Sequence, residues 1–280
     1  MKLKVPFRSR PPIVPVIRLS GVIGGGGRLS PGLTDAGLAP LIERAFRKGK
    51  PAAVALAINS PGGSPAQSSL IGARIRRLGD EMKVPVLAFT EDVAASGGYW
   101  LACAADEIFA DDTSILGSIG VISASFGFPE FLARHGIERR VHTAGGSKSF
   151  LDPFRPEKPD DIARLTALQE QIHRTFIAHV QARRGARLDT TRDLFTGEIF
   201  VGAAAVEAGL ADGIGHLAPV LKERFGDKVR LQPMGRKKPI WRRLGVGPAG
   251  GGAAADIAAQ VTAEALGAVE DRAHWARFGL

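Results

Sequence analysis

The chain has one cysteine, one tyrosine and no run of about 18 apolar residues anywhere in its 280 positions. A single cysteine excludes an intramolecular disulfide and a four-cysteine zinc site within one chain, so the fold needs no oxidising compartment. Cys103 lies in the apolar run Trp100-Leu101-Ala102-Cys103-Ala104-Ala105, where a small buried hydrophobe is expected rather than a nucleophile. Without a long apolar run no spanning helix is expected, and Ile13-Val14-Pro15-Val16-Ile17 after the basic start is too short for the core of a signal sequence. The expected location is therefore the cytoplasm or the periphery of a membrane. Aromatic residues are only 6% of the chain, too few among the basic residues for base stacking. The formal charge of +9 then reads as a solvated basic surface, with no specific nucleic-acid partner. No H-E-x-x-H occurs, and Gly24 to Gly27 is not followed by G-K-[ST], so neither a zinc protease nor a phosphate-binding loop is supported; no cofactor is expected.

What is present is enough apolar residue, 45%, to bury a substantial core. Apolar runs at Ile13 to Ile23, Ala52 to Asn59 and Val84 to Phe89 read as strands, the second covered on both faces. Between them, Thr34 to Lys48, with Leu38, Leu41, Ile42 and Phe46 on one face, and Ala66 to Gly79 read as helices. A helix follows Ser96 as far as Ala105, then strands at Glu107 to Ala110, Ile115 to Ser125 and Ile137 to Thr143. A long helix runs from Asp160 to about Arg184, and Gly202 to Ala208, Leu217 to Phe225 and a strand at Lys228 to Gln232 complete the core. Alternating strands and helices predict an α/β domain with mainly parallel pairing. Three regions are expected: a basic tail over 1–11, a domain over 12–233, and a basic linker with a C-terminal helical extension over 234–280. The extension has Ile257, Val261, Leu266 and Val269 near one face, which suits packing on a partner or the same domain; peripheral membrane contact is the alternative.

Two glycine-rich turns carry the chemistry. Ser96 in Ala95-Ser96-Gly97-Gly98 stands at a strand-to-helix junction, exposed and next to free backbone N–H groups; on residue type alone it could equally be a helix N-cap. Asn59-Ser60-Pro61-Gly62-Gly63-Ser64 follows a buried strand, and paired glycines there can aim N–H groups into a site, as an oxyanion hole requires, or can simply turn the chain. Downstream lie Gly117-Ser118-Ile119-Gly120 and, fifty-two positions after Ser96, Lys148 in Gly146-Ser147-Lys148-Ser149-Phe150. A lysine can serve as the base only in a dry, apolar setting that keeps its amine neutral. Trp100, Ile119 and Phe150 are candidate walls for such a setting. No histidine stands near Val121 to Ser123, about 25 residues after the serine, and His135, His142, His173 and His179 read as ordinary histidines rather than as part of a triad.

In motif order from about Val14 to Val229, this set resembles the signal peptide peptidase A family of serine-lysine proteases. Asp152-Pro153-Phe154-Arg155-Pro156 extends the likeness past the lysine. The resemblance implies a ClpP/crotonase-like α/β spiral of strand-strand-helix units, here with an appended C-terminal helix. It implies Ser96 as nucleophile, Lys148 as general base, Ser118 as the hydroxyl that orients the lysine amine, and the N–H groups of Gly97, Gly62 and Gly63 as oxyanion donors. It further implies peptide substrates that are hydrophobic or extended, signal peptide remnants among them. It also implies a homo-oligomeric ring or dome in which one site can draw its serine and lysine from neighbouring subunits. Members of the family commonly carry an N-terminal membrane anchor, which Met1 to Pro11 does not resemble. Two other classes share the fold: an oligomeric scaffold with an idle site, and a crotonase-type acyl-CoA enzyme, which would have no use for Ser96, Ser118 and Lys148 together.

Overall fold

The structure, a computed structural model, describes residues 11–25, 32–235, 272 and 274–279. The predicted basic tail except Pro11, the basic linker except Met234 and Gly235, and nearly all of the C-terminal helix lie outside the described residues. In chain order the elements are β1 (Ile13–Ser20), α1 (Asp35–Arg47), β2 (Val54–Ser60), α2 (Pro65–Met82), β3 (Val86–Ala95), α3 (Gly97–Ala102), β4 (Glu107–Ala110), β5 (Ile115–Gly117), α4 (Pro129–Arg134), α5 (Pro159–Arg184), β6 (Ile199–Val201), α6 (Ala203–Glu207), β7 (Gly213–Ile214), α7 (Leu217–Phe225) and β8 (Arg230–Met234). The chain divides into two compact units: the described residues up to Ile119 with those from His179 onward form one, and Gly120–Ala178 the other.

The first unit is an α/β architecture with mainly parallel pairing, as expected, built on an eight-stranded sheet of order β6-β5-β3-β2-β1-β8. Pairings along β3-β2-β1-β8 are parallel, and only β5 with β6 is antiparallel. The sheet branches at β3. Leu87 to Phe89 pair with β4, which pairs onward with β7, whereas Val93 to Ala95 pair with β5. β3 can serve two neighbours because it is long, running to Ala95 rather than stopping at Phe89. β2 is covered on both faces, as its unbroken apolar run predicts.

The helices begin where short polar residues can cap them. Thr34 accepts from the Gly37 N–H at 3.2 Å and Ser64 from the Gln67 N–H at 3.4 Å, with Pro65 in the first turn of α2. α1 buries Leu38, Leu41, Ile42 and Phe46, the face read from their spacing. Its first turn is joined to α2 by Arg74, whose guanidinium forks onto Asp35 at 2.7 Å to each oxygen and holds that carboxyl below its ordinary value.

Two predicted strands are corrected. Ile115 to Ser125 is strand only to Gly117, because Gly117 (φ +96°) and Ser118 (φ +50°) turn the chain out of the extended region. Ile137 to Thr143 forms no strand; Ile137 donates instead to the Leu132 carbonyl at 2.9 Å, closing the turn after α4, and no ladder partner is present among the described residues. No helix among the described residues is long and apolar enough to cross a membrane.

The second unit holds α4, the start of α5 and the turn that carries Lys148. Asp152 organises it, accepting from the Phe154 N–H at 3.1 Å and from Arg139 at 3.3 Å. The Phe154 N–H first, then Arg139, hold its carboxyl below the ordinary value.

Candidate active site

Ser96 stands between the end of β3 and the start of α3 with φ +51° and ψ −121°, a backbone conformation that glycine usually fills and that costs a residue with a side chain about 1–3 kcal/mol. Its N–H donates to the Gly117 carbonyl at 2.8 Å, and its own carbonyl accepts from Trp100 at 3.0 Å. The hydroxyl makes no capping hydrogen bond, so the N-cap reading does not hold. The turn is thus strained, and its serine hydroxyl has no hydrogen-bond partner among the described residues.

Sheet register brings Ser118 beside it. Ala95 pairs with Gly117 in the parallel β3–β5 ladder, so the next residue on each strand, Ser96 and Ser118, leaves the sheet at the same level. Ser118 is buried, its backbone held by a 2.7 Å bond from its N–H to the Glu198 carbonyl.

The glycine pair lies against the same turn. A Cβ on Gly62 (φ +105°) would sit 2.8 Å from the Ser96 Cβ and 2.9 Å from the Gly97 nitrogen. A Cβ on Gly63 (φ +138°) would meet the Ile23 carbonyl at 2.2 Å. Backbone bonds fix this stretch, since Ile23 donates to the Gly62 carbonyl and Ser64 to the Ile23 carbonyl. The two glycines differ as donors. The Gly62 N–H is directed to the Ser60 Oγ at 3.3 Å, whereas those of Gly63 and Gly97 have no acceptor among the described residues. Ser60, fully buried, also donates to the Gly21 carbonyl at 2.7 Å. Its part in setting the loop has no signal in the sequence beyond its place at the end of a buried strand.

Behind the turn the structure is densely pinned. Tyr99 is buried, and its hydroxyl donates to the Leu210 carbonyl at 2.9 Å. Arg184, also buried, forks onto Asp212 and donates to the Gly209 carbonyl at 2.8 Å. Cys103 is fully buried as expected, and burial pushes its thiol up to about 12. Cys103 is accordingly expected to resist thiol reagents in the native protein and to react only after denaturation; a thiol titration that finds it reactive without denaturant would contradict this packing.

Of the predicted wall residues, Trp100 is in the core. Its ring lies against Gly72 of α2 and stacks on His179 at 4.3 Å, and the His179 Nε2 sits 3.2 Å from the Trp100 carbonyl. Ile119 is buried, and Phe150, in the second unit, is half-buried with the Arg164 guanidinium 6.0 Å from its ring. His216 pairs with Asp111 at 2.7 Å.

Burial holds the His179 imidazole below its ordinary value. Its folded state therefore resists protonation more than its unfolded state, whose pKa is about 6.5; the stabilisation is fully present above that pH and is lost as pH falls through the folded value. Thermal melting at about pH 7.5 and about pH 5.5 should show a larger acid-induced drop in the wild type than in His179→Phe. Equal drops would show that His179 is not the group responsible.

Lys148 lies in the second unit, in a turn where its N–H donates to the Gly145 carbonyl at 3.1 Å, and it is exposed. No group of three or more His, Cys, Asp or Glu placed to hold a metal ion occurs among the described residues.

Comparison with known proteins places these residues in context. Residues 80–228 match Peptidase family S49, a span that includes Ser96, Ser118 and Lys148. A protein of Synechocystis named as a protease, slr0021, is 31% identical over 81% of this chain and 80% of its own length. Proteins from Brucella melitensis and Brucella abortus named Na(+)/H(+) antiporter NhaA are each 50% identical over 98% of this chain. The chain spans 38% of the length of those two proteins. A solved variant of the 1510-N membrane-bound stomatin-specific protease is similar with a TM-score of 0.47 and 14% identity, covering 81% of this chain and 100% of that one.

Proposed function

The chain belongs to peptidase family S49, and from that premise we propose that it is a serine endopeptidase that cleaves extended, apolar peptides with Ser96 as nucleophile and Lys148 as general base. The observation that carries the reading is the Ser96 turn itself: a hydroxyl held uncapped in a strained conformation, level with Ser118 and packed on the Gly62-Gly63 loop. We place the peptidase domain at residues 12–233.

Neutral Lys148 takes the proton of Ser96 as Oγ attacks the peptide carbonyl, and the Ser118 hydroxyl accepts from the lysine amine and aims it. The negative charge that develops on the carbonyl oxygen is met by the N–H groups of Gly63 and Gly97, which have no acceptor among the described residues. Gly62 serves by its lack of a side chain, because its own N–H is directed to Ser60. Collapse of the tetrahedral intermediate breaks the C–N bond, the lysine returns its proton to the leaving amine, and an acyl-enzyme on Ser96 remains. Water, deprotonated by the same lysine, attacks the ester carbonyl; the bond to Ser96 Oγ breaks, the lysine returns its proton to that oxygen, and the acid is released.

Exposure of Lys148 on a single chain fits a site completed by assembly: a second copy, together with bound substrate, supplies the dry surroundings that keep the amine neutral. We therefore expect the active species to be a homo-oligomer.

The test is a fluorophosphonate probe followed by mass mapping, run beside hydrolysis of a quenched apolar peptide and a measurement of oligomer size. The expected result is one labelled residue, Ser96, in a species that cleaves the peptide. An intact oligomer that neither labels nor cleaves would favour the idle scaffold, and binding of acyl-CoA without labelling would favour the crotonase-type enzyme.

A further inference from the structure

We infer that Arg183, oriented by Asp106, is a positioning residue for the nucleophile, which rests on Ser96 being the attacking group. α3 ends at Ala102 with its last carbonyls met by the N–H groups of Cys103, Ala104 and Ala105, but the carbonyls of those three residues, in the turn that follows, accept no backbone N–H among the described residues. Side chains reach them instead. Arg183 donates through Nε to the Cys103 carbonyl at 2.8 Å and through Nη2 to the Ala105 carbonyl at 2.9 Å, and Arg76 of α2 donates through Nη1 to the Ala104 carbonyl at 3.3 Å.

One carboxylate gathers both guanidinium groups. Asp106 Oδ1 lies 2.7 Å from Arg76 Nη1 and 3.6 Å from Arg183 Nη2. Its other oxygen accepts the Val86 N–H at 2.8 Å, and Val86 is the first residue of β3. The strand that leads into Ser96 and the helix that leads out of it are thus tied together at their far ends by Asp106, Arg76 and Arg183. A residue at φ +51° keeps that conformation only when its surroundings over-determine it, and this clamp opposes the splaying of β3 from α3 that would let the turn relax. The Arg183 fork is specific, since its two donors meet two carbonyls two residues apart; a lysine ammonium would keep the charge but offer no planar fork.

The experiment compares wild type, Arg183→Lys, Arg183→Ala and Asp106→Asn in the assembled protein, reading the acylation rate of Ser96 by fluorophosphonate together with kcat and KM for a peptide. Arg183→Lys should slow acylation and lower kcat by about 10- to 100-fold with KM little changed, the pattern of a displaced reacting atom rather than of lost substrate binding. Millimolar guanidinium should restore part of the rate to Arg183→Ala and none to Asp106→Asn. A merely structural arginine would lower the folded fraction, followed by thermal melting, and leave the rate per folded molecule unchanged. Arg183→Lys acylating at the wild-type rate per folded molecule overturns the proposal. If it fails to fold, a wild-type acylation rate in Asp106→Asn overturns it equally. Absence of labelling at Ser96 in the wild type would instead remove the premise, an outcome distinguishable because it does not depend on any Arg183 variant.

Discussion

Ser96→Ala should abolish peptide cleavage, lowering kcat by about 10⁴-fold or more, and Lys148→Ala should do nearly the same, because nucleophile and base act as one unit. The double variant should then be no worse than either single one; additive losses would mean that the two residues contribute separately. Ser118→Ala, which removes only the orientation of the amine, should cost about 10- to 100-fold. Stability should separate from activity at the serine. The Ser96 hydroxyl makes no capping bond and alanine at φ +51° is as strained as serine, so Ser96→Ala should melt close to the wild type. Ser96→Gly should be inactive yet more stable by about 1 kcal/mol, since glycine adopts that conformation freely. Cleavage of a quenched apolar peptide, with oligomer size and melting temperature measured on each sample, checks all of these. Lys148→Ala at a rate within about threefold of wild type would remove lysine from the mechanism, whatever the serine does.

How far the sequence was legible follows from the range of each signal. α1 was readable to within a residue at either end because Thr34, the Leu38, Leu41, Ile42 and Phe46 stripe and Lys48 all act locally. The Ser96 and Gly62-Gly63 turns were equally plain, for glycine pairs after apolar runs are local marks of a strand ending. β6 and β7 went unread because strands of three and two residues have no period to detect. The stretch Ile137 to Thr143 misled for the opposite reason, with scattered apolar residues suggesting a strand for which the fold supplies no neighbour. In the candidate site, Ser118 was reached through resemblance, and its level with Ser96 becomes visible only once β3 and β5 are paired. Asp106, Arg76 and Arg183 were missed altogether, because contacts between residues so distant along the chain leave no pattern in it. The exposure of Lys148 was no more readable, since the same Gly-Ser-Lys-Ser stretch would suit a turn open to water or one covered by another copy.

Gly62→Ala should remove most of the activity while leaving every proposed catalytic group in place. Its φ of +105° is strained for alanine, and the added methyl would lie 2.8 Å from the Ser96 Cβ, 2.9 Å from the Gly97 nitrogen and 3.0 Å from the Ala95 carbonyl oxygen. None of those atoms is the far end of a flexible side chain, so relief requires the nucleophile turn or the glycine loop to move. A shift of about 1 Å misplaces Ser96 and parts the Gly63 and Gly97 N–H groups from the oxygen they are to meet, which together should lower kcat by about 10²- to 10³-fold. The strain and overpacking should also destabilise the fold by about 1–3 kcal/mol. Gly235→Ala is the matched control: a Cβ there meets nothing within 4 Å, and an ordinary surface change of this kind stays within about 0.5 kcal/mol. Because Gly62→Ala keeps Ser96, Ser118 and Lys148, the fluorophosphonate rate per folded molecule reports geometry alone. Wild-type labelling in this variant would mean that the glycine loop can yield without disturbing the serine, and the oxyanion role given to Gly63 would have to be withdrawn.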